Sequence, residues 1–133
     1  MGRRILSILT GLGIGLLVIV IIRMMIRTMF PASEVLESGV EDLDTYYSSL
    51  PERAYLLLGL SHIFAAFLAS LITSLISNNN RFSNGVITGT IVFVVITVFN
   101  FTFDYPSLFL MLDTLFSAVA AFAGASFGQG RKV

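Results

Sequence analysis

The chain has 133 residues, enough for one ordinary domain; 56% are hydrophobic and only 12% charged, with a mean hydropathy of +0.90. A soluble domain carries about 25% charged residues, so this chain lacks the charge to coat a water-facing surface, which argues against a soluble enzyme and a disordered protein. Basic and acidic residues are eight each and cysteine is absent, which leaves no basic excess for nucleic acid and excludes disulfides, zinc ribbons, iron–sulfur ligation, a cysteine nucleophile and a lipoprotein anchor.

A helix needs about 20 apolar residues to cross the hydrocarbon. The first uncharged window runs from Ile5 to Ile22, between Arg3-Arg4 and Arg23. It is too long for a typical signal-peptide core and no small-x-small cleavage site follows, so it reads as an uncleaved anchor over about 5–30. Arg23 and Arg27 at its far end have the reach to snorkel to the headgroups. The outer loop, 31–50, holds five of the eight acids: Glu34, Glu37, Glu41, Asp42 and Asp44. Within it Val40, Leu43, Tyr47 and Leu50 repeat at helical spacing, which predicts a short helix with one apolar face on the membrane surface.

Ser49-Leu50-Pro51-Glu52 fits a capping box that opens the second span, expected over 51–77 in the uncharged interval between Arg53 and Arg81. The polar stretch from Ser77 to Gly85 is turn-forming and leads to a third span over 84–104. Asp104-Tyr105-Pro106 is too short for anything but a tight connection, so the third span and the fourth, 106–128, are antiparallel neighbours. With the N-terminus inside, Arg3, Arg4, Arg81, Arg131 and Lys132 lie in the cytoplasm and Arg23, Arg27 and Arg53 outside. That five-to-three bias places both termini in the cytoplasm.

Helices in lipid associate through small residues and polar contacts. Ser7, Gly11 and Gly15 form such a stripe on the first span, and Gly59, His62, Ala66, Ala69 and Thr73 one on the second. Gly85 and Gly89 serve the third span, and Asp113, Ser117, Ala121, Gly124 and Gly128 the fourth. These positions are expected at helix–helix contacts, within the chain or between copies of it.

One polar cluster stands out. At 1.5 Å per helical residue, Arg23, His62, Asn100 and Asp113 all lie roughly 5–12 Å inside the outer ends of their spans. His62 and Asp113 sit on the small-residue stripes, Asn100 about 20° from Gly89, and Arg23 about 80° off the Gly15 line. An ionisable side chain near mid-membrane costs at least about 2.5–3.5 kcal/mol unless paired or hydrated. Asp113 therefore needs a partner: Arg23 is the first candidate, His62 the second. The cluster reads first as an interhelical clamp that fixes register, with two alternatives: a proton or ion path through Asp113 and His62, or an Asp113 that points into a hydrated outer vestibule without function. No phosphate loop, HExxH or GxSxG motif is present. Ser61 and His62 are adjacent, and neighbours on a helix point about 100° apart, a poor nucleophile–base geometry. A lone histidine rules out bis-histidine haem, and Met24, Met25, Met29 and Met111 read as packing.

The chain resembles a group of uncharacterised small four-helix membrane proteins of bacteria. The matching features are Phe30-Pro31 closing the first span, an acidic loop ending in Ser49-Leu50-Pro51, and a second span rich in small residues. Asn100 six residues before Pro106 and a last span rich in Ala and Gly match too. The group often carries Pro-His-Pro after the asparagine, where this chain has Tyr105-Pro106-Ser107. The resemblance implies a fold, a topology and a bacterial inner-membrane location, and no activity.

The expectation is an all-α polytopic membrane protein: four transmembrane helices in one antiparallel bundle, with a short surface helix in the first loop. Its function is expected to be non-enzymatic, as an accessory subunit of a larger membrane complex or a self-associating bundle. A small oligomeric transporter or channel component is the alternative. Its partners are the bilayer and another protein or a second copy, not nucleic acid, and no cofactor or metal is expected.

Overall fold

A computed structural model describes residues 2–31 and 43–130. It contains α1 (Gly2–Met29), α2 (Leu43–Ser48), α3 (Glu52–Ile76), α4 (Arg81–Thr102) and α5 (Ser107–Gln129), with no strand among the described residues. All but α2 are long and apolar enough to cross a membrane, with mean hydropathies of 2.9, 2.0, 2.0 and 1.8 in chain order. The chain is thus an all-helical, multi-pass membrane protein.

The helix ends show where local chemistry departs from the pattern. Glu52 opens α3 behind Pro51, and no side chain caps that end. The expected capping box does not form; the Pro51 carbonyl instead accepts from Ala54 N at 2.9 Å. The third span starts at Arg81, three residues earlier than its pattern indicates. Asn80 makes this possible by taking the left-handed conformation, φ 52° and ψ 40°, which asparagine tolerates better than most residues. The turn is complete within Ser77–Asn80, and the next residue is already helical.

α3 is the central helix. It packs against α5, α1 and α4; α5 also packs against α4, and α1 makes a lesser contact with α4. α1 and α5 share no substantial interface. The middle of the bundle is built from small side chains, Ala65, Ala66, Ala69, Ala120 and Ala121, with Ile19, Val92 and Ile96. Large apolar residues face outward instead, among them Phe101 (82% exposed) and Met111 (72%). That is the inverse of a soluble core and suits a lipid surround.

Six of the expected packing glycines sit where helices touch. A Cβ on Gly15 would lie 2.9 Å from the Ala69 Cβ, and one on Gly89 would lie 2.8 Å from the Ala121 Cβ. At Gly11 it would run into Thr73, at Gly85 into Ser74, at Gly124 into the Phe67 carbonyl and at Gly128 into Ser74. Ala66 and Ala121 are buried beside them. Gly59 is different. It is partly buried, and a Cβ there would meet only Phe109 Cε2 at 3.4 Å and Asp113 Oδ1 at 3.7 Å. Both atoms are on α5 and at ordinary van der Waals distance, so a Cβ would fit here, unlike at the other six.

The apolar face expected over Val40, Leu43, Tyr47 and Leu50 is also revised. Val40 lies outside the described residues. Leu43 is 47% exposed, while Tyr46, Tyr47 and Leu50 are buried. The helix is only six residues long, so Leu50 reaches the core from the turn beyond it. Tyr46 takes the place assigned to Leu43 because its hydroxyl has a partner: it donates to the Phe30 carbonyl at 2.7 Å and satisfies the end of α1. Tyr47, Leu50, Ile26, Ala54, Leu58 and Tyr105 form one apolar cluster at this end.

Candidate intramembrane polar site

Asp113 is on α5, at the position of its stripe that faces α3 and α4. Its Oδ2 lies 2.8 Å from His62 Nδ1 on α3. Asn100 Nδ2 on α4 donates to the same oxygen at 2.6 Å. The His62 and Asp113 side chains have no exposed area, and Asn100 is 1% exposed. Three helices thus meet on one carboxylate oxygen. Burial without these bonds would cost each group on the order of 1–3 kcal/mol, so the contact also dictates register. A one-residue slip turns a helix by 100° and separates the atoms.

The cluster does not use all its polar capacity. Asp113 Oδ1, His62 Nε2 and Asn100 Oδ1 are buried and make no hydrogen bond in the structure. Ser117 Oγ, one turn along α5, is in the same condition.

Arg23, the first partner indicated by the sequence, is not in this group. Its guanidinium lies over ring faces instead, 4.6 Å from the Phe99 centroid, 5.2 Å from Tyr47 and 5.8 Å from Phe103. The reason is topological: Arg23 is on α1, and α1 has no substantial contact with the α5 that carries Asp113. Its Nε and Nη2 are buried without hydrogen-bond partners, and the negative faces of the rings meet the charge. Arg27 is exposed and lies 5.9 Å from the Tyr46 ring.

A second polar group, missed by the sequence reading, occupies the other end of the bundle. Ser7 Oγ and Ser77 Oγ are 2.9 Å apart, and Asn84 Nδ2 donates to Ser77 Oγ at 3.1 Å. Thr73 Oγ1 donates to the Ser7 carbonyl at 3.2 Å. In the sequence, Ser77 and Asn84 are indistinguishable from turn formers. The available signal is that Ser7 and Thr73 already lie on inward stripes.

Beside Asp113 a groove of about 620 Å³ runs along the α3–α5 seam. Its walls include Tyr55, Leu60, Phe109, Leu112 and Phe116, with Glu52 at one end and Gly59 and Asp113 along it. No group of three or more His, Cys, Asp or Glu side chains converges among the described residues. No known protein family, curated protein or solved structure matches the chain.

Proposed function

We propose that the chain is a non-enzymatic integral membrane protein acting as a subunit, either accessory to a larger membrane complex or self-assembling. The observation that carries this reading is that His62 and Asn100 both fasten Asp113 Oδ2, with no exposed side-chain area on His62 or Asp113. A carboxylate fastened in this way fixes helix register. The walls of the neighbouring groove, leucines and aromatics rather than a polar file, favour a subunit over an ion path.

In this reading the four spans form an antiparallel bundle in a bacterial inner membrane, with both termini cytoplasmic and α2 on the outer surface. The meeting of Ser7, Ser77 and Asn84 at one end supports alternating helix directions, and so does that of Ile26, Tyr47, Ala54 and Tyr105 at the other. The arginine bias supports the orientation, and the resemblance supports the bacterial setting.

The test is purification of the tagged full chain in mild detergent, with the mass of the complex measured and its components identified. A stoichiometric larger partner assigns the accessory role, and a clean homo-oligomer assigns self-assembly. A monomer that retains nothing, in detergent and after reconstitution alike, overturns the proposal.

A further inference from the structure

We propose that the α3–α5 groove binds an apolar, membrane-soluble ligand through one hydroxyl group, which donates its hydrogen bond to Asp113 Oδ1. Asp113 lines the groove with its side chain fully buried, and its Oδ1 has no hydrogen-bond partner while Oδ2 has two. A buried acceptor of this kind is costly to leave unmatched.

Gly59 is the second observation. The other six glycines assigned to packing are buried where a Cβ would meet another helix closer than van der Waals contact allows. Gly59 is only partly buried, and within 4 Å of its missing Cβ lie only the edge of the Phe109 ring and Asp113 Oδ1. Helix packing does not account for a glycine here. What it leaves is a gap between the groove and the free oxygen, bordered by the edge of the Phe109 ring, which a ligand would have to displace.

Depth and lining select the ligand class. The groove spans Glu52 to Ile63 on α3, roughly 16 Å at 1.5 Å per residue, and Asp113 lies roughly 9 Å from the start of α5. A phospholipid headgroup stays at the interface and does not reach that level. An ammonium donor there would carry its own cost of about 2.5–3.5 kcal/mol. A hydroxyl on an otherwise apolar body has neither difficulty. Two kinds of molecule share that chemistry: long-chain alcohols, and ring phenols or hydroquinones that would stack on Tyr55, Phe109 and Phe116.

The experiment is thermal unfolding of the purified full chain in detergent micelles, titrated with 4-nonylphenol, 4-nonylanisole or 1-tetradecanol. The anisole has the body of the phenol without its donor and controls for effects on the micelle. Binding to the native state raises the midpoint. The phenol should act at about tenfold lower concentration than the anisole, equivalent to about 1.4 kcal/mol. A phenol that outperforms tetradecanol assigns a ring ligand; equal potency assigns an aliphatic alcohol. Gly59→Leu fills the gap and should abolish the advantage of the phenol. Should Gly59→Leu fail to fold, Gly59→Ala, whose Cβ makes ordinary contacts, should reduce it. Equal potency of phenol and anisole on the wild type overturns the proposal, and so does an undiminished phenol effect in both variants.

Discussion

His62 and Asp113 meet across the α3–α5 seam with 2.8 Å between Nδ1 and Oδ2, and neither side chain has any exposed area. Asn100 completes the contact from α4. The most extensive helix pairing among the described residues, α3 on α5, therefore has a polar bond in a seam built mainly of small and apolar residues.

Asp113→Ala should destabilise the bundle by about 1–3 kcal/mol, because it strands His62 Nδ1 and Asn100 Nδ2 in a dry interior. Asp113→Asn should cost less, since an amide oxygen still accepts from Asn100. The cycle built from Asn100→Ala and Asp113→Ala should show a coupling of about 0.5–2 kcal/mol. Denaturation in mixed micelles measures all of these. Additive single mutants would mean that the 2.6 Å contact contributes nothing to stability.

Arg23 and Asp113 should behave as independent sites. Their proximity in depth suggests a pair, but Arg23 is boxed by Phe99, Tyr47 and Phe103. Arg23→Met should cost about 1–2 kcal/mol through lost cation–π contact. Combined with Asp113→Asn, it should give the sum of the two effects. Recovery of stability in the double mutant, as expected of a charge pair, would place the arginine on the carboxylate after all.

The particular residues show what sequence can and cannot disclose. The spans are legible because charge is so costly in lipid that long stretches poor in charge mark all four, although α1 runs beyond its uncharged window to take in Arg3, Arg4, Arg23 and Arg27. The inward stripe through Asp113, Ser117 and Ala121 is legible for the same reason: a carboxylate in a span must face protein. Asn100 follows from its angle to Gly89. The place of Arg23 does not follow, since equal depth says nothing of which helices are neighbours, and α1 stands away from α5. The exchange of Leu43 for Tyr46 in the end cluster is equally hidden, because it depends on a hydroxyl that finds the Phe30 carbonyl 16 residues away. Ser77 and Asn84 read as turn residues because the contact that draws them inward, Ser77 Oγ on Ser7 Oγ with Asn84 donating to Ser77, closes across 70 residues of chain.

Glycine substitutions should separate tight from open positions. Gly89→Val would push a side chain into Ala121 and should cost about 1–3 kcal/mol or more through overpacking. Gly13→Ala, where nothing lies within 4 Å, should be neutral or slightly stabilising, since alanine favours the helix. Thermal midpoints in detergent distinguish the two. A tolerated Gly89→Val would mean that α4 and α5 do not approach as closely as the structure has them.

Topology has a direct test because the chain contains no cysteine. Ser49→Cys and Asn79→Cys lie at exposed positions in different connections. In intact cells, a membrane-impermeant maleimide should label Cys at position 49 and spare position 79 until the membrane is opened. Labelling of position 79 alone from outside would invert the orientation.

Alkaline pH should unlock the α2 end of the bundle. Tyr105 is 4% exposed in the α4–α5 connection, and burial pushes its phenol well above the ordinary value of 10.0, against the pull of the Arg23 guanidinium. Burial raises Tyr46 as well, with Tyr47 adding to the shift and Arg27 opposing it. A phenol whose folded value is raised stays protonated in the native state while the unfolded chain ionises near pH 10. Its contribution is therefore fully present below about pH 10 and is lost as pH climbs from there towards the folded value. Stability should be flat in this respect through neutral pH and fall beyond pH 10. Removing the ionisation with Tyr105→Phe should flatten that fall, whereas Thr45→Val, at an exposed position of α2, should not. The measurement is the unfolding midpoint at a series of pH values from 7 to 11.5. An identical alkaline slope in wild type and Tyr105→Phe would show that the buried phenol is not what holds this end closed.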